Sequence, residues 1–395
     1  MYSEQMYELG SKSSVIREIF EYGKKRAAEI GPENVFDFSI GNPSVPAPET
    51  VKKAIEELVL EGDPVLLHGY TSAPGDMGVR KAIADDINAR YQAGVKPELM
   101  YMTAGAAAAL CSCIRALACP GDEFIAFVPF FPEYTVFVNQ NGGKLVSVGV
   151  REGDFQIDFE KLAAAVNEHT KAVIVNSPNN PSGVVYTEET IVALAEFLRA
   201  KAAEYGHPIY LIADEPYREL VYDGLEVPYL PNYYDNTLVC YSYSKSLSLP
   251  GERIGYALVS PKMEDAQKVY AAVCGAGRSL GYVCAPSMFQ FVIGKCVGQT
   301  SDISIYKYNR DLLYDNLTSY GFECVKPDGA FYLFMKCLEP DAAAFCEKAK
   351  KYDLLLVPCD SFGCPGYVRI SYCVQPEMIK RSLPAFEKLA KEYQA

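Results

Sequence analysis

The segment SYSKSLSLPGERIG, residues 242–255, groups residue types that could hold a reactive cofactor. Lys245 lies between two apolar strand-length runs, Ser242 and Ser244 flank it, and Arg253 follows eight residues later. A lysine amine can form a Schiff base with an aldehyde, and an arginine guanidinium presents a bidentate fork to phosphate oxygens. The segment therefore suits a phosphorylated aldehyde cofactor. A polar loop with a solvated lysine is the alternative at this point.

Two upstream segments carry side chains that would complement such a cofactor. In ADEPY (213–217), Asp214 ends a predicted strand, where ligands bind in open α/β sheets, and its carboxylate can pair with a protonated pyridine nitrogen. In NSPNNPSG (176–183), Asn180 follows another strand, and both Asn180 and Tyr217 can donate to a phenolic oxygen. Asp214 as a helix N-cap and Asn180 as an ordinary turn residue are the open alternatives.

These motifs need a scaffold of strands and helices to position them. Apolar runs rich in β-formers predict six strands of a large sheet. The runs are 124–128, 144–150, 172–176, 209–213, 237–241 and 254–260. Helical patterns such as 187–205 are long enough for crossovers between parallel strands. From Asn309 onward, helices alternate with two short strands, so we expect an α/β fold with a mostly parallel sheet flanked by helices, plus a smaller α+β domain.

Charge and hydropathy exclude several classes of protein. The 395 residues include 37 basic and 50 acidic side chains, a formal net charge of −13, which opposes binding to nucleic acid or anionic lipid. The N-terminal segment lacks the apolar core of a secretory signal, and no run approaches the roughly 18 to 20 apolar residues of a membrane helix. We expect a cytoplasmic protein with no nucleic-acid or membrane partner.

The cysteines and histidines give no metal signature. The 13 cysteines are scattered through apolar segments such as LCSCIRALAC, at no zinc-ligand spacing, and indicate reduced core residues. His68, His169 and His207 are far apart in the sequence. We therefore expect no metal site.

Taken in order, the motifs resemble those of the class I/II aminotransferases, pyridoxal-phosphate enzymes of fold type I that are similar to aspartate aminotransferase. NNPSG, DEPY, SYSK with an arginine eight residues after the lysine, and YVRIS near the C-terminus keep the family's spacings over essentially the whole chain. The resemblance implies that pyridoxal 5'-phosphate, held as an aldimine on Lys245, moves an amino group from an L-amino acid to a 2-oxo acid, with 2-oxoglutarate the expected acceptor. It also implies a seven-stranded sheet in a large domain, residues 47–290, and a small domain formed by residues 1–46 and 291–395.

The resemblance assigns further site residues. Those assigned to the cofactor are Ala106, Ala107, Phe131, Asn180, Asp214, Tyr217, Ser242, Lys245, Arg253 and Tyr70, and those assigned to the substrate are Gly41, Asn180 and Arg369. Ala106 and Ala107 match the start of a helix, where free N–H groups and the helix dipole favour a phosphate. Phe131, in PFFPEY, takes the place of the aromatic ring that stacks on the pyridine. Gly41 and Arg369 match positions at the substrate carboxylate; for Arg369 alone, a surface charge at a strand edge is the alternative.

Tyr70, in GYTSAPGDMGVR (69–80), matches the tyrosine that reaches the neighbouring subunit's cofactor phosphate. The resemblance therefore implies a homodimer with shared active sites.

One departure from the family pattern and two alternative functions stay open. In an aspartate-specific branch of the family a lysine occupies the position of Ala107, so we rank a broad or neutral amino donor ahead of strict aspartate use. Arg278 could replace that lysine, but a structural ion pair is the favoured interpretation. The same residues could serve a β-lyase, because Arg369 disfavours decarboxylation but not β-elimination. A non-catalytic cofactor-binding protein is the remaining alternative, and the intact Lys245 argues against it.

Overall fold

The computed structural model of the protein describes residues 2–11 and 14–394. Its helices are α1 (Glu4–Ser11), α2 (Val15–Ile30), α3 (Glu49–Glu61), α4 (Pro64–His68), α5 (Met77–Tyr91), α6 (Ala106–Leu117), α7 (Glu133–Asn139), α8 (Phe159–Ala165), α9 (Glu188–Tyr205), α10 (Tyr243–Ser246), α11 (Ala266–Ser279), α12 (Ser287–Cys296), α13 (Ser304–Ser319), α14 (Ala342–Lys350) and α15 (Pro376–Glu392). Its strands are β1 (Phe36–Asp37), β2 (Met100–Thr103), β3 (Glu123–Val128), β4 (Lys144–Gly149), β5 (Thr170–Asn176), β6 (Tyr210–Asp214), β7 (Thr237–Ser242), β8 (Gly255–Val259), β9 (Cys324–Val325), β10 (Tyr332–Lys336), β11 (Leu354–Leu355), β12 (Val357–Pro358) and β13 (Tyr367–Ser371).

The large sheet has seven strands in the order β2-β8-β7-β6-β5-β3-β4. Neighbouring strands from β7 to β4 run parallel, whereas β8 is antiparallel to both β7 and β2. This confirms the predicted α/β class. Strand β2 has no counterpart among the six predicted runs, because its four residues, MYMT, are too few to show a run of β-formers.

Helices cover both faces of this sheet. Along β5, Ala172 and Ile174 pack in one hydrophobic cluster with α6 and α11, whereas Val173 and Val175 pack in another with α3, α5, α9 and α12. Successive strand residues point to opposite faces, so the apolar runs fill both layers. Polar side chains can then meet a ligand only where the strands end.

The ends of α9 illustrate how the sequence sets an element. Thr187 caps the helix by accepting a hydrogen bond from the Thr190 N–H at 3.2 Å. Gly206, with a φ of 72°, adopts the left-handed conformation that terminates it. The helix thereby connects two neighbouring parallel strands, β5 and β6, as the pattern over 187–205 predicts.

A second unit holds the four-stranded antiparallel sheet β12-β13-β10-β9. Helices α13, α14 and α15 contribute to its hydrophobic cluster. Strand β1, near the N-terminus, pairs with β11, so the N-terminal segment joins the C-terminal part. The division into a large domain, residues 47–290, and a small domain, residues 1–46 and 291–395, stays a prediction. The boundary between residues 290 and 291 lies inside α12, which packs in the hydrophobic cluster of the large sheet.

Other sequence expectations concern the whole chain. No helix in the described ranges is both long and apolar enough to cross a membrane.

The cysteines are free thiols, twelve of them buried or half-buried. Cys119 is exposed, which corrects its assignment to the core: it lies in the turn after α6 rather than in an element that packs.

Candidate active site

Three neighbouring parallel strands end together where the predicted residues converge. In the sheet register, Asn176 at the end of β5 pairs with Asp214 at the end of β6, and Asp214 pairs with Cys240 of β7. The short helix α10 begins directly after β7 and carries Lys245. The topology alone therefore brings Asp214 and Lys245 to one edge of the sheet.

A cavity of about 190 Å³ lies at this edge. The predicted residues that line it are Ala106, Ala107, Phe131, Asn180, Asp214, Tyr217, Ser242, Lys245 and Arg253. The structure thus gathers nine of the ten residues assigned to the cofactor. Gly41 and Arg369 contact residues of this lining, whereas Tyr70 does not line the cavity of its own chain.

Asp214 is a buried carboxylate with one unused oxygen. Its Oδ2 accepts a hydrogen bond from the Tyr134 hydroxyl, while its buried Oδ1 has no hydrogen-bond partner in the described part of the chain. Burial raises the pKa of Asp214 to about 7; the Tyr134 hydrogen bond lowers this pKa and the Glu215 charge raises it. A buried acceptor without a partner is costly, so a protonated nitrogen placed there would satisfy Asp214 and stabilise its charge.

Lys245 has an unusually acidic ammonium group. Its Nζ donates to the Gly41 carbonyl at 2.5 Å and lies 5.3 Å from the centre of the Phe331 ring. Burial lowers the pKa of Lys245 to about 8, and the positive charges of Arg369 and Arg253 also lower it. At pH 7 about a tenth of the amine is neutral, against on the order of 0.03% at the ordinary lysine pKa. The amine is therefore available as a nucleophile or a base near neutral pH.

The start of α6 offers backbone donors to an anion. Gly105 caps the helix with a φ of 82° and no side-chain hydrogen bond. The N–H groups of Ala106 and Ala107 belong to the first turn, which has no intrahelical acceptors. A Cβ at Gly105 would lie 2.9 Å from Arg253 Nη2, so a side chain there would displace this guanidinium, and the positive φ also favours glycine.

Arg253 and two serines complete this polar end of the cavity. Arg253 has a left-handed φ of 51°, and its Nη2 donates to the Ala104 carbonyl at 3.3 Å. The Ser242 and Ser244 hydroxyl oxygens lie 2.7 Å apart. Hydroxyls, a guanidinium and free N–H groups together form a donor set suited to a phosphate.

Arg369 is buried, 3% exposed, so it is not a surface charge at a strand edge. Its Nη2 donates to the Ser39 carbonyl at 2.6 Å and its Nη1 to Asn180 Oδ1 at 3.2 Å. The guanidinium carbon lies 4.6 Å from the centre of the Tyr332 ring. The Nε, also buried, has no hydrogen-bond partner within the described residues. An anion beside Arg369 would use this remaining donor.

Two tyrosines at the site were missed by the sequence reasoning. Tyr332 lies between the residues assigned to the substrate and those assigned to the cofactor. Its hydroxyl oxygen is 2.9 Å from the hydroxyl oxygen of Tyr217. Tyr134 is the hydrogen-bond donor to Asp214. Tyr134 ends the motif PFFPEY, so its position beside Phe131 was a usable signal, whereas Tyr332 stood in a segment that indicated only a strand.

Tyr70 and Arg278 do not line the cavity of their own chain. Tyr70 is 89% exposed, in the loop between α4 and α5. Arg278 is exposed in the last turn of α11. The structural ion pair expected for Arg278 is not formed within residues 2–11 and 14–394.

The cavity fits pyridoxal phosphate by the chemistry of its donors. The unpartnered Oδ1 of Asp214 can accept from a pyridinium nitrogen, Lys245 offers a partly neutral amine, and the start of α6 with Arg253 suits the phosphate. These features belong to a fold with a seven-stranded, mostly parallel sheet and a smaller α+β unit, the architecture of fold type I.

Comparison with known proteins agrees with this architecture. The family model "Aminotransferase class I and II" matches residues 33–386. The chain is 30% identical over 361 residues to the aspartate aminotransferase of Thermotoga maritima, covering 90% of this chain and 91% of that protein. It is 31% identical over 356 residues to the aspartate/prephenate aminotransferase of Thermus thermophilus, covering 88% and 89%. A crystal structure of an amino transferase from Eubacterium rectale is 61% identical over the full length of both chains, with a TM-score of 0.98.

The chain therefore belongs to the class I and II aminotransferase family. The predicted activity is confirmed at this level: the protein is an aminotransferase, which moves an amino group from an amino acid to an oxo acid.

Proposed function

We propose that the protein binds pyridoxal phosphate in the 190 Å³ cavity and uses Lys245 to transfer the amino group of an L-amino acid to 2-oxoglutarate. One observation carries the proposal. A buried carboxylate with an unused oxygen, Asp214, and a lysine whose pKa is lowered to about 8, Lys245, line the same cavity.

Each part of the cavity has a role toward the cofactor. Asp214 would keep a proton on the pyridine nitrogen, Asn180 and Tyr217 would donate to the phenolic oxygen, and Phe131 would cover the ring. The donors for the phosphate would be Ser242, Arg253, the N–H groups of Ala106 and Ala107, and the Tyr70 hydroxyl of a second copy. When bound, pyridoxal phosphate supplies a ring that accepts the electron pair left as a bond at the substrate Cα breaks.

The chain's own residues then bind the substrate and move its proton. Arg369 would donate a hydrogen bond to the α-carboxylate from its free Nε. It would also exchange a hydrogen bond to a carbonyl oxygen for one to a charged carboxylate oxygen. That contact fixes the direction of the Cα–H bond. Lys245, with its lowered pKa, would take the proton from the substrate Cα and deliver it to C4′ of the cofactor, on the other side of the substrate nitrogen, which is general base and acid catalysis by one group.

The amino donor is proposed to be broad or neutral rather than strictly acidic. Ala107 supplies no cation for the distal carboxylate of aspartate. Relatives are named for aspartate and prephenate. Aspartate is therefore the donor to compare with alanine and aromatic donors, and prephenate, a 2-oxo acid, is the acceptor to compare with 2-oxoglutarate.

A homodimer is part of the proposal. Tyr70 is 89% exposed and does not line the cavity of its own chain. The chain just before it also exposes apolar side chains, namely Val59, Leu60, Val65 and Leu66. An exposed apolar stretch marks a protein interface, and a second copy seated there would bring the partner's Tyr70 toward the phosphate donors.

The test is an amino-transfer assay with purified, cofactor-loaded protein. Each amino acid is supplied with and without 2-oxoglutarate, and glutamate is measured by mass spectrometry. We expect glutamate to form only when 2-oxoglutarate is present. Lys245→Ala should form no glutamate. Lys268→Ala, which changes an exposed lysine, should form as much glutamate as the wild type.

Three results would contradict the proposal. Pyruvate and ammonia released without any oxo acid would indicate a β-lyase. Cofactor binding without turnover of any amino acid would indicate a binding protein. Full activity in Lys245→Ala would remove Lys245 from the mechanism.

A further inference from the structure

A chain of polar side chains lies behind α10, outside the cavity; Ser246 and Tyr241 are buried, Glu219 is half-buried and Arg90 is exposed. It runs from Ser246 through Tyr241 and Glu219 to Arg90, and we call it the Glu219 chain. The Tyr241 hydroxyl lies 2.9 Å from the Ser246 Oγ and 2.8 Å from Glu219 Oε2. Arg90 Nη1 lies 3.5 Å from Glu219 Oε1. None of these four residues is needed by the proposed chemistry.

The hydrogen-bond directions in this chain follow from its chemistry. A carboxylate only accepts, and a phenol has one hydrogen. Tyr241 therefore donates to Glu219 and accepts from the Ser246 hydroxyl. Ser246 and Tyr241 are 1% and 4% exposed, so the hydrogen bond between them is shielded from water.

The Glu219 chain joins the two segments that carry the main site residues. Glu219 lies five residues after Asp214 and two after Tyr217, in the segment that follows β6. Ser246 directly follows Lys245 in α10. The chain therefore links the segment that carries Asp214 to the helix that carries Lys245, across the junction of β6 and β7.

Helix α10 has only four residues, Tyr243–Ser246. So short a helix is not stable by itself, because one turn fixes several dihedral angles for few hydrogen bonds. Its orientation must come from tertiary contacts. The contacts at its C-terminal end are the Ser246 hydroxyl bond to Tyr241 and the Ser246 carbonyl, which accepts from the Ser301 N–H at 2.7 Å.

The geometry points to Glu219 as a positioning residue that, through Tyr241 and Ser246, fixes the Lys245 amine relative to Asp214. The inference rests on the proposed function of Lys245. Misplacement of a reacting group by about 1 Å can cost up to 100-fold in rate. Loss of the chain should therefore lower kcat while KM for the amino donor changes little, because Arg369 is untouched.

The test compares Tyr241→Phe with Tyr256→Phe in the cofactor-loaded enzyme. The Tyr256 ring stacks on that of Tyr241, with centroids 5.0 Å apart, and its hydroxyl has no recorded hydrogen bond to any described residue. Each variant removes one hydroxyl group from the same aromatic cluster, but only Tyr241→Phe breaks the Glu219 chain. We expect about a tenfold lower kcat for Tyr241→Phe with KM within twofold, and both values within twofold of wild type for Tyr256→Phe.

Two further variants examine the carboxylate itself. Glu219→Gln keeps an oxygen that accepts from Tyr241, so it should retain kcat within about threefold, whereas Glu219→Ala should lose at least tenfold. The rate of pyridoxal phosphate release, followed by absorbance after gel filtration, gives a readout besides turnover. It should rise in Tyr241→Phe and Glu219→Ala, because a misplaced Lys245 holds the cofactor less well.

The outcomes separate this inference from the proposed function. A wild-type protein that neither binds pyridoxal phosphate nor forms glutamate would refute the proposed function. An active wild type whose Tyr241→Phe variant has a lower melting temperature but unchanged kcat and cofactor release would overturn the inference, since the chain would then be only structural. If Glu219→Ala does not fold, Tyr241→Phe and Glu219→Gln decide the matter, because both preserve side-chain volume.

Discussion

Replacing Gly41 with alanine should disturb both the substrate side and the cofactor side of the site. Gly41 accepts the hydrogen bond from Lys245 Nζ at 2.5 Å. A Cβ at this position would lie 2.1 Å from the Tyr332 hydroxyl oxygen and 3.1 Å from the Phe331 ring. Both distances are inside the optimal separation of about 3.5 to 4.0 Å between nonbonded atoms.

Tyr332 has little freedom to move away from the added methyl group. It is 3% exposed, its hydroxyl is 2.9 Å from that of Tyr217, and its ring lies 4.6 Å from the guanidinium carbon of Arg369. Overpacking of this kind costs about 1 to 3 kcal/mol. Displacing Tyr332 or the Gly41 backbone also moves Arg369 or Lys245, so we expect kcat/KM to fall about 10- to 100-fold, which corresponds to roughly 1.4 to 2.7 kcal/mol.

The assay combines thermal unfolding with steady-state kinetics. Gly251→Ala is the matched control, because a Cβ there meets no described atom within 4 Å although Gly251 lies beside the cavity residue Pro250. The double variant Gly41→Ala/Tyr332→Phe removes the oxygen at 2.1 Å and should recover part of the loss. Wild-type stability and kcat/KM in Gly41→Ala would refute the proposed packing of Tyr332 against this loop.

Three other predictions follow from the site. Tyr134→Phe removes the hydrogen bond that lowers the pKa of Asp214, so this pKa should rise. Pyridoxal phosphate should then bind more weakly at pH 7 and recover as the pH rises and Asp214 ionises again; a titration of affinity from pH 6 to 9 that matches wild type would contradict this. Arg369→Ala should raise KM for every amino donor by a similar factor of about 30 or more, whereas an effect on acidic donors alone would assign Arg369 to side-chain recognition. Mixing Tyr70→Phe and Lys245→Ala subunits should restore activity, because one hybrid site contains both residues, and an active monomer in sedimentation would exclude the shared site.

The large sheet could be predicted from sequence because its strands are continuous apolar runs. Strands β3 to β8 agree with the predicted runs to within two residues at each end. Strand β2 could not be predicted in this way, because burial of MYMT depends on pairing with β8, which lies more than 150 residues further along the chain.

The candidate site was predictable only in part for a similar reason. Asp214 is the last residue of β6 and Lys245 lies in the helix that follows β7, so motif and strand end coincide. Tyr332 and Tyr134 reach the site through packing between distant segments. The motif PFFPEY gave a local signal for Tyr134, whereas nothing local marks Tyr332 as a site residue. The burial of Arg369 likewise depends on the register of β13 between β10 and β12.

The proposed bond between Lys245 and the cofactor can be measured directly. The loaded protein is treated with borohydride, which reduces a Schiff base between pyridoxal phosphate and a lysine to a stable bond, and the modified peptide is identified by mass spectrometry. We predict one modified lysine per chain, Lys245, and no modification in Lys245→Ala. A modification on a different lysine, or none in a protein that still transfers amino groups, would contradict it.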